Sequence, residues 1–175
     1  MDKAPTATEP EFWLRGPISG IQPLLQPAVH ALLQSREELK RYTTDFPNRL
    51  LWERPAGCAA VGFHIRHITG VLDRMLTYAR GESLSEIQFY YLKQEAIPDT
   101  TLSVPDLIGE FNLKVEEALL FFKQVSESEL TLPRTVGRKK LPSTVIGLLF
   151  HAAEHSQRHI GQLLVTARIL KESEK

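Results

Sequence analysis

Three of the six histidines of this chain recur at intervals of four residues in the segment "HAAEHSQRHIGQL", residues 151–163. They are His151, His155 and His159. An imidazole nitrogen is a common ligand for divalent metals such as Zn²⁺, with metal–nitrogen bonds of about 2 Å. In a helix that rises about 1.5 Å per residue, the outer two histidines lie roughly 12 Å apart along the axis. One ion therefore cannot bind all three histidines.

The apolar pattern around these histidines indicates which two face a core. Positions spaced alternately by three and four residues share one face of a helix and form the buried seam of a bundle. Such a seam comprises Val145, Leu148, Ala152, His155, His159, Gln162, Thr166 and Ile169. His151 lies one step off the seam, about 100° around the helix. The pattern therefore predicts that His155 and His159 point inward, where buried polar groups need partners.

A third ligand could come from the segment "AVGFHIRHITG", residues 60–70, which contains His64 and His67. Both flank a second apolar seam, and their spacing does not separate them. Together with His155 and His159, they predict a divalent metal ion on three histidines. A tetrahedral ion then has one position left for water or a thiol. Zn²⁺ and Ni²⁺ are the expected ions, since imidazole suits both.

Two polar side chains near the histidine pair are candidates for orienting the imidazoles. Glu154 precedes His155 in the chain, and Gln162 follows His159 by less than one helical turn. Alternatively, Glu154 is a solvated surface carboxylate and Gln162 bonds to the backbone. Gly161, between His159 and Gln162, is expected to allow a close approach of helices.

The elements that must position these residues are four long helical segments. They are predicted at about residues 21–44, 59–80, 104–125 and 142 or 143 to 170. Pro23 and Pro27 are compatible only with the opening turn or a kink of the first. Ser103 is a candidate N-cap of the third. The seam of the second comprises Val61, Ile65, Ile68, Leu72, Met75 and Ala79.

The segments between the helices are long. "SLSEIQFYYLKQEA", residues 83–96, is expected to form a short extra helix, and "LTLPRTVGRKKLP", residues 130–142, an irregular or hairpin-like link. The sequence therefore predicts an all-α fold, a four-helix bundle with long connections. Residues 16–175 are expected to form a single domain after a loose N-terminal tail, residues 1–15.

The composition excludes several function classes. The chain has 175 residues, of which 21 are basic and 21 acidic, so it carries no net charge. This balance argues against an electrostatic nucleic-acid or membrane-surface binder. Cys58 is the only cysteine, which suits a reducing interior. No apolar run reaches membrane-spanning length and the first residues lack the features of a signal peptide, so a cytoplasmic protein is expected.

At the histidine segments the sequence resembles the DinB-like or YfiT-like superfamily of metal-dependent hydrolases and thiol S-transferases. That superfamily pairs a histidine near the start of its second helix with an H-x-x-x-H pair, often followed by a residue and Gly-Gln. "HSQRHIGQ", residues 155–162, matches the second part, and "GFHIRHITGVLDRMLTYARGESLS", residues 62–85, resembles the first, with His67 in the family position. The resemblance extends over about residues 16–170. It implies a four-helix bundle with one divalent metal on His67, His155 and His159, and a homodimer.

The resemblance also implies a range of reactions. Relatives include S-transferases that use bacillithiol or mycothiol, and a maleylpyruvate isomerase. The expected function is a metal-dependent enzyme that activates a thiol or water for reaction with a small-molecule substrate. S-transfer, with a low-molecular-weight thiol as cofactor, is preferred over hydrolysis, and no catalytic residue is assigned beyond the water or thiol on the metal. The alternative is a non-catalytic metal-binding or dimerising bundle.

"HAAEH" also matches the inverted zinc-protease pattern H-x-x-E-H. In that interpretation His151 and His155 bind the metal and Glu154 acts as the base. The position of His151 off the seam counts against it, and it leaves His159 without a role.

Overall fold

Five α-helices and one β-hairpin follow one another in this computed structural model, which describes residues 9–173. They are α1 (Gln26–Tyr42), α2 (Val61–Ala79), α3 (Glu86–Gln94), α4 (Val104–Gln124), β1 (Pro133–Val136), β2 (Leu141–Thr144) and α5 (Val145–Glu172). The four long helices confirm the predicted all-α bundle. The short helix α3 and the hairpin lie in the connections where the sequence predicts them.

The packing of the four long helices defines their order around the bundle. Both α1 and α2 pack against α4 and against α5. The order is therefore α1, α5, α2, α4, and α2 lies beside α5. All six residues of the predicted α2 seam are buried, and so are ten of the other thirteen residues, so α2 is buried nearly all around.

Helix α3 differs from the others because none of its residues is buried. Ser85 caps its first turn, with its hydroxyl accepting a hydrogen bond from the Gln88 N–H at 3.2 Å. The Gln88 side chain donates to Asp73 at 2.6 Å and to Thr77 at 2.7 Å, both on α2. Polar contacts of this kind therefore help to attach α3 to the bundle.

Two helix starts were predicted too early. Residues Pro23–Leu25 form a separate 3₁₀ turn, and α1 begins only at Gln26 with Pro27 in its first turn. Helix α5 begins at Val145 because Leu141–Thr144 pair with Pro133–Val136 as the second strand of an antiparallel hairpin. By contrast, Ser103 caps α4 as predicted, and its hydroxyl accepts from the Asp106 N–H at 3.3 Å.

The predicted N-terminal tail is only partly described, since its residues 1–8 lie outside the described residues. Residues 9–15 are mostly exposed and contact α1 at two side chains. The Phe12 N–H donates to the Gln34 side chain at 3.1 Å, and Arg15 forms an ion pair with Glu37 at 2.8 Å. Separately, none of the described helices is both long and apolar enough to cross a membrane.

Candidate metal centre

The adjacency of α2 and α5 brings the histidines of the two helices together. The Nε2 atoms of His67 and His155 lie 3.0 Å apart. The ring centroid of His159 lies 4.6 Å from that of His67 and 4.6 Å from that of His155. These three half-buried side chains each offer a ligand atom, and the three atoms all lie within 4.8 Å of one another.

The donor set of this group fits a divalent ion. Tetrahedral Zn²⁺ with bonds of 2.0–2.1 Å places two ligand nitrogens about 3.3 Å apart. The 3.0 Å separation of the His67 and His155 nitrogens is close to this value. Within the described residues, Nδ1 of His155 is buried and has no hydrogen-bond partner. The group therefore has the nitrogens and the spacing to hold a metal with small side-chain adjustments.

The protonation of these rings also suits metal binding. Burial, followed by the electrostatic influence of the neighbouring His67, lowers the pKa of His155 to about 4. The same two causes, in the same order, lower the pKa of His159 to about 3. Metal ligands must be neutral imidazoles. Both side chains are therefore unprotonated and available as ligands at neutral pH.

His64 lies next to this group as a partner of His159. It is 3% exposed, and its Nδ1 lies 2.9 Å from Nδ1 of His159. Burial, followed by the electrostatic influence of His67, lowers the pKa of His64 to about 4. The spacing in the sequence did not decide whether His64 or His67 completes the histidine group. In the structure His67 belongs to the group, and His64 contacts His159 from outside it.

The second nitrogen of His67 contacts Glu95, a residue that the sequence analysis did not identify. Nδ1 of His67 lies 2.7 Å from Oε2 of Glu95, which is 3% exposed. Glu95 follows α3 and is separated from His67 by 28 positions. No periodic pattern links the two. Gly70, inside α2, was the sequence feature that could have indicated this contact, since a glycine in the middle of a helix often marks the close approach of another segment.

An aromatic side chain covers one face of the site. The Phe63 ring stacks on His67 with the two ring centroids 5.1 Å apart and the planes inclined by 13°. Phe63 also lines a cavity of about 180 Å³ together with Trp52 and Arg54. A larger groove of about 560 Å³ between α2, α3 and α4 is lined by none of the histidines. The smaller cavity is not lined by these histidines either, but its lining residue Phe63 contacts His67.

Comparison with known proteins decides the family. A profile of the DinB superfamily matches residues 31–163, which is more than half of the chain and includes all three histidines of the group. The chain belongs to the DinB superfamily. A solved structure from Streptococcus pneumoniae, determined by a structural genomics consortium, has 14% identity to this DinB chain and a TM-score of 0.63. The match covers 86% of this chain and 91% of that chain. This similarity shows a shared fold. No curated protein matches the sequence.

The DinB bundle places the other predicted polar residues of α5 outside the core. Nδ1 of His151 lies 3.0 Å from Oε1 of Glu154, and Arg158 donates to both oxygens of Glu154 at 2.5 and 2.6 Å. His151, Glu154 and His155 also form a group with the spacing of metal ligands. The Glu154 carboxylate is, however, already neutralised by Arg158 in an exposed arrangement.

The seam predicted for α5 is wrong at two positions in its C-terminal part, since Gln162 is exposed and Ile169 is 49% exposed. Thr166, between them, is buried as predicted, and the neighbouring Ile160 and Leu163 are also buried. A strict seven-residue repeat drifts by about 20° per heptad on a straight helix, so a long seam moves out of phase with the core. His155 and His159 consequently lie at the edge of the buried stripe. Gly161 is also exposed, and a Cβ there would meet nothing within 4 Å, so the expected close approach is absent.

Proposed function

We propose that this DinB protein is a metal-dependent enzyme in which His67, His155 and His159 bind one divalent ion, Zn²⁺ or Ni²⁺. The main support is that ligand atoms of these three side chains, from two helices, lie within 4.8 Å of one another. A divalent ion held by three neutral imidazoles supplies a Lewis-acidic centre with an open coordination position, where a thiol or water loses its proton near neutral pH.

The residues around the histidines support a small-molecule substrate. The ring of Phe63 stacks on one face of His67 and also lines the cavity that contains Trp52 in its wall. This cavity of about 180 Å³ has room for a small organic group rather than for a polypeptide. Arg54 contributes a positive charge to the lining. Because two aromatic side chains in this lining suit a small organic electrophile, we prefer transfer of a thiol to such a molecule over hydrolysis.

The first experiment measures metal content and access to the metal in the same sample. Tag-free protein is loaded with Co²⁺, dialysed and analysed for bound metal, and 2-mercaptoethanol is then added while the absorption spectrum is recorded. We expect about one ion per chain and a new sulfur-to-cobalt charge-transfer band, since one coordination position is open to a thiol.

The outcomes separate the proposal from its alternative. Stoichiometric metal whose spectrum does not change with thiol indicates a closed site and a non-catalytic metal-binding bundle. Persistent absence of bound metal in protein with a native circular dichroism spectrum removes the proposed mechanism. The variant His159→Ala is expected to lose the ion, so it controls for metal bound elsewhere.

A further inference from the structure

Glu95 is a buried carboxylate that joins the histidine group to Arg74. Its Oε2 lies 2.7 Å from Nδ1 of His67, and its Oε1 accepts a hydrogen bond from Arg74 at 2.5 Å. Arg74 is 7% exposed. Each carboxylate oxygen therefore has its own partner, and the carboxylate cannot rotate without losing one of them.

This contact determines which nitrogen of His67 carries the hydrogen. An ionised carboxylate only accepts hydrogen bonds, so Nδ1 of His67 must be the donor. In a neutral imidazole the other nitrogen, Nε2, then has a free lone pair. That nitrogen is the one that lies 3.0 Å from Nε2 of His155. The lone pair of His67 thus points toward the other histidines rather than toward Glu95.

Gly70 provides the space that this arrangement needs. A Cβ atom at Gly70 would lie 2.2 Å from Oε1 of Glu95 and 2.7 Å from a terminal nitrogen of Arg74. Glycine inside a helix costs about 1 kcal/mol relative to alanine. Helix α2 therefore contains a destabilising residue at the one position where a side chain would push Glu95 away from His67.

We propose that Glu95 is a positioning residue that holds the hydrogen of His67 on Nδ1 and so makes Nε2 the atom available for a metal. Arg74 fixes the orientation of the carboxylate, and Gly70 allows its approach. The metal part of this inference rests on the proposed function, whereas the tautomer part concerns the metal-free protein. A carboxylate that orients a ligating histidine typically changes metal affinity by 10- to 100-fold.

The substitution Glu95→Gln tests the inference with an isosteric side chain. Arg74 has only donors, so the amide oxygen is expected to face Arg74 and the NH₂ group to face His67. Nδ1 of His67 must then accept, and its hydrogen moves to Nε2. The double variant Glu95→Gln with Arg74→Met frees the amide to rotate, which restores an acceptor to His67.

Two measurements follow these changes. Long-range ¹H–¹⁵N NMR of the metal-free protein reports which nitrogen of His67 is protonated, and competition with a chelating dye reports the Zn²⁺ affinity. We expect Glu95→Gln to invert the tautomer and to lower the affinity by about 10- to 100-fold. The double variant should recover the original tautomer and part of the affinity, which a merely structural ion pair would not do.

Gly70→Ala displaces the carboxylate without changing any polar group and is expected to weaken Zn²⁺ binding in the same direction. Its matched control is Gly161→Ala, which lies on the other ligand-bearing helix with open space around the new methyl group. Glu154→Gln is the control for removing a carboxylate that contacts a histidine. Both controls should retain the wild-type affinity and the wild-type His67 spectrum.

Unchanged His67 tautomer and unchanged Zn²⁺ affinity in Glu95→Gln would show that Glu95 is only the ion-pair partner of Arg74, and the inference would be wrong. If the wild-type protein binds no Zn²⁺ but Glu95→Gln inverts the tautomer, the proposed function fails while the control of His67 by Glu95 is supported. If Glu95→Gln does not fold, Gly70→Ala decides the metal part, and wild-type affinity in that variant overturns it.

Discussion

Two histidine–glutamate pairs of similar geometry occur in this molecule in very different surroundings. Nδ1 of His67 lies 2.7 Å from Glu95, and the two side chains are 20% and 4% exposed. Nδ1 of His151 lies 3.0 Å from Glu154 three residues later in the same helix, with exposures of 45% and 31%. The first pair connects distant parts of the chain, whereas the second follows from helical spacing alone. Burial and connectivity, rather than distance, therefore distinguish the two pairs.

The largest expected difference between the two pairs is in metal binding. His67→Ala removes one of three proposed ligands, and His151→Ala removes none. Structural Zn²⁺ sites with four ligands bind with about 10–16 kcal/mol, so one ligand accounts for roughly 3 kcal/mol, or a loss on the order of a hundredfold. Metal titration of both variants measures this difference. Loss of metal from His151→Ala instead would favour the group formed by His151, Glu154 and His155.

The arginines of the two pairs should differ in their effect on stability. Arg74→Met leaves Glu95 as a buried carboxylate without its cation, which typically costs about 3–5 kcal/mol. Arg158→Met breaks an exposed contact with Glu154, and such contacts contribute about 0–1 kcal/mol. Urea unfolding of the metal-free variants gives both free energies of unfolding. Equal decreases in the free energy of unfolding of Arg74→Met and Arg158→Met would show that the two pairs do not differ in this respect.

The buried His64 predicts a pH dependence of the stability of the folded protein. The pKa of His64 is lowered from the ordinary value of 6.5 to about 4. Below pH 6.5 the unfolded chain therefore takes up a proton that the folded chain does not. The contribution of His64 is fully present above pH 6.5 and is lost as the pH falls toward 4, by about 3 kcal/mol at most.

Urea unfolding of the metal-free protein between pH 7 and pH 4.5 measures the slope of the free energy of unfolding against pH. His64→Asn should have a smaller slope than the wild type, even though its stability at pH 7 is also lower. His151→Ala serves as the control with the wild-type slope. A slope that is unaffected by His64→Asn would assign the acid sensitivity to other groups.

The sequence predicts the helical bundle and two residues of the candidate site, His155 and His159, for reasons that can be traced to particular residues. The six apolar residues of the α2 seam are all buried, as are most other residues of this helix. His155 and His159 were predicted as a pair because apolar residues flank them along the α5 seam, and the structure places both half-buried at the edge of the buried stripe. The preference for His67 over His64 came from the family resemblance, since spacing leaves both open.

Glu95 could not be predicted from a single sequence. It lies beyond α3, and its contact with His67 depends on how that helix returns across α2. A local pattern does not specify such a return. The start of α5 was misplaced for a similar reason, because strand pairing with Pro133–Val136 competes with the helix for Leu141–Thr144.

The attachment of α3 has a consequence for the motions of the molecule. Segments with little buried surface open locally at a lower free-energy cost than the whole domain. Helix α3 buries none of its residues, yet it directly precedes Glu95. Its amide hydrogens should therefore exchange with solvent faster than those of α2, and each opening that carries Glu95 away releases the ring of His67. A nine-residue helix at the periphery of the bundle is thus expected to contribute to the lifetime of the His67 ring orientation, beside the contacts of that ring with Phe63 and His155.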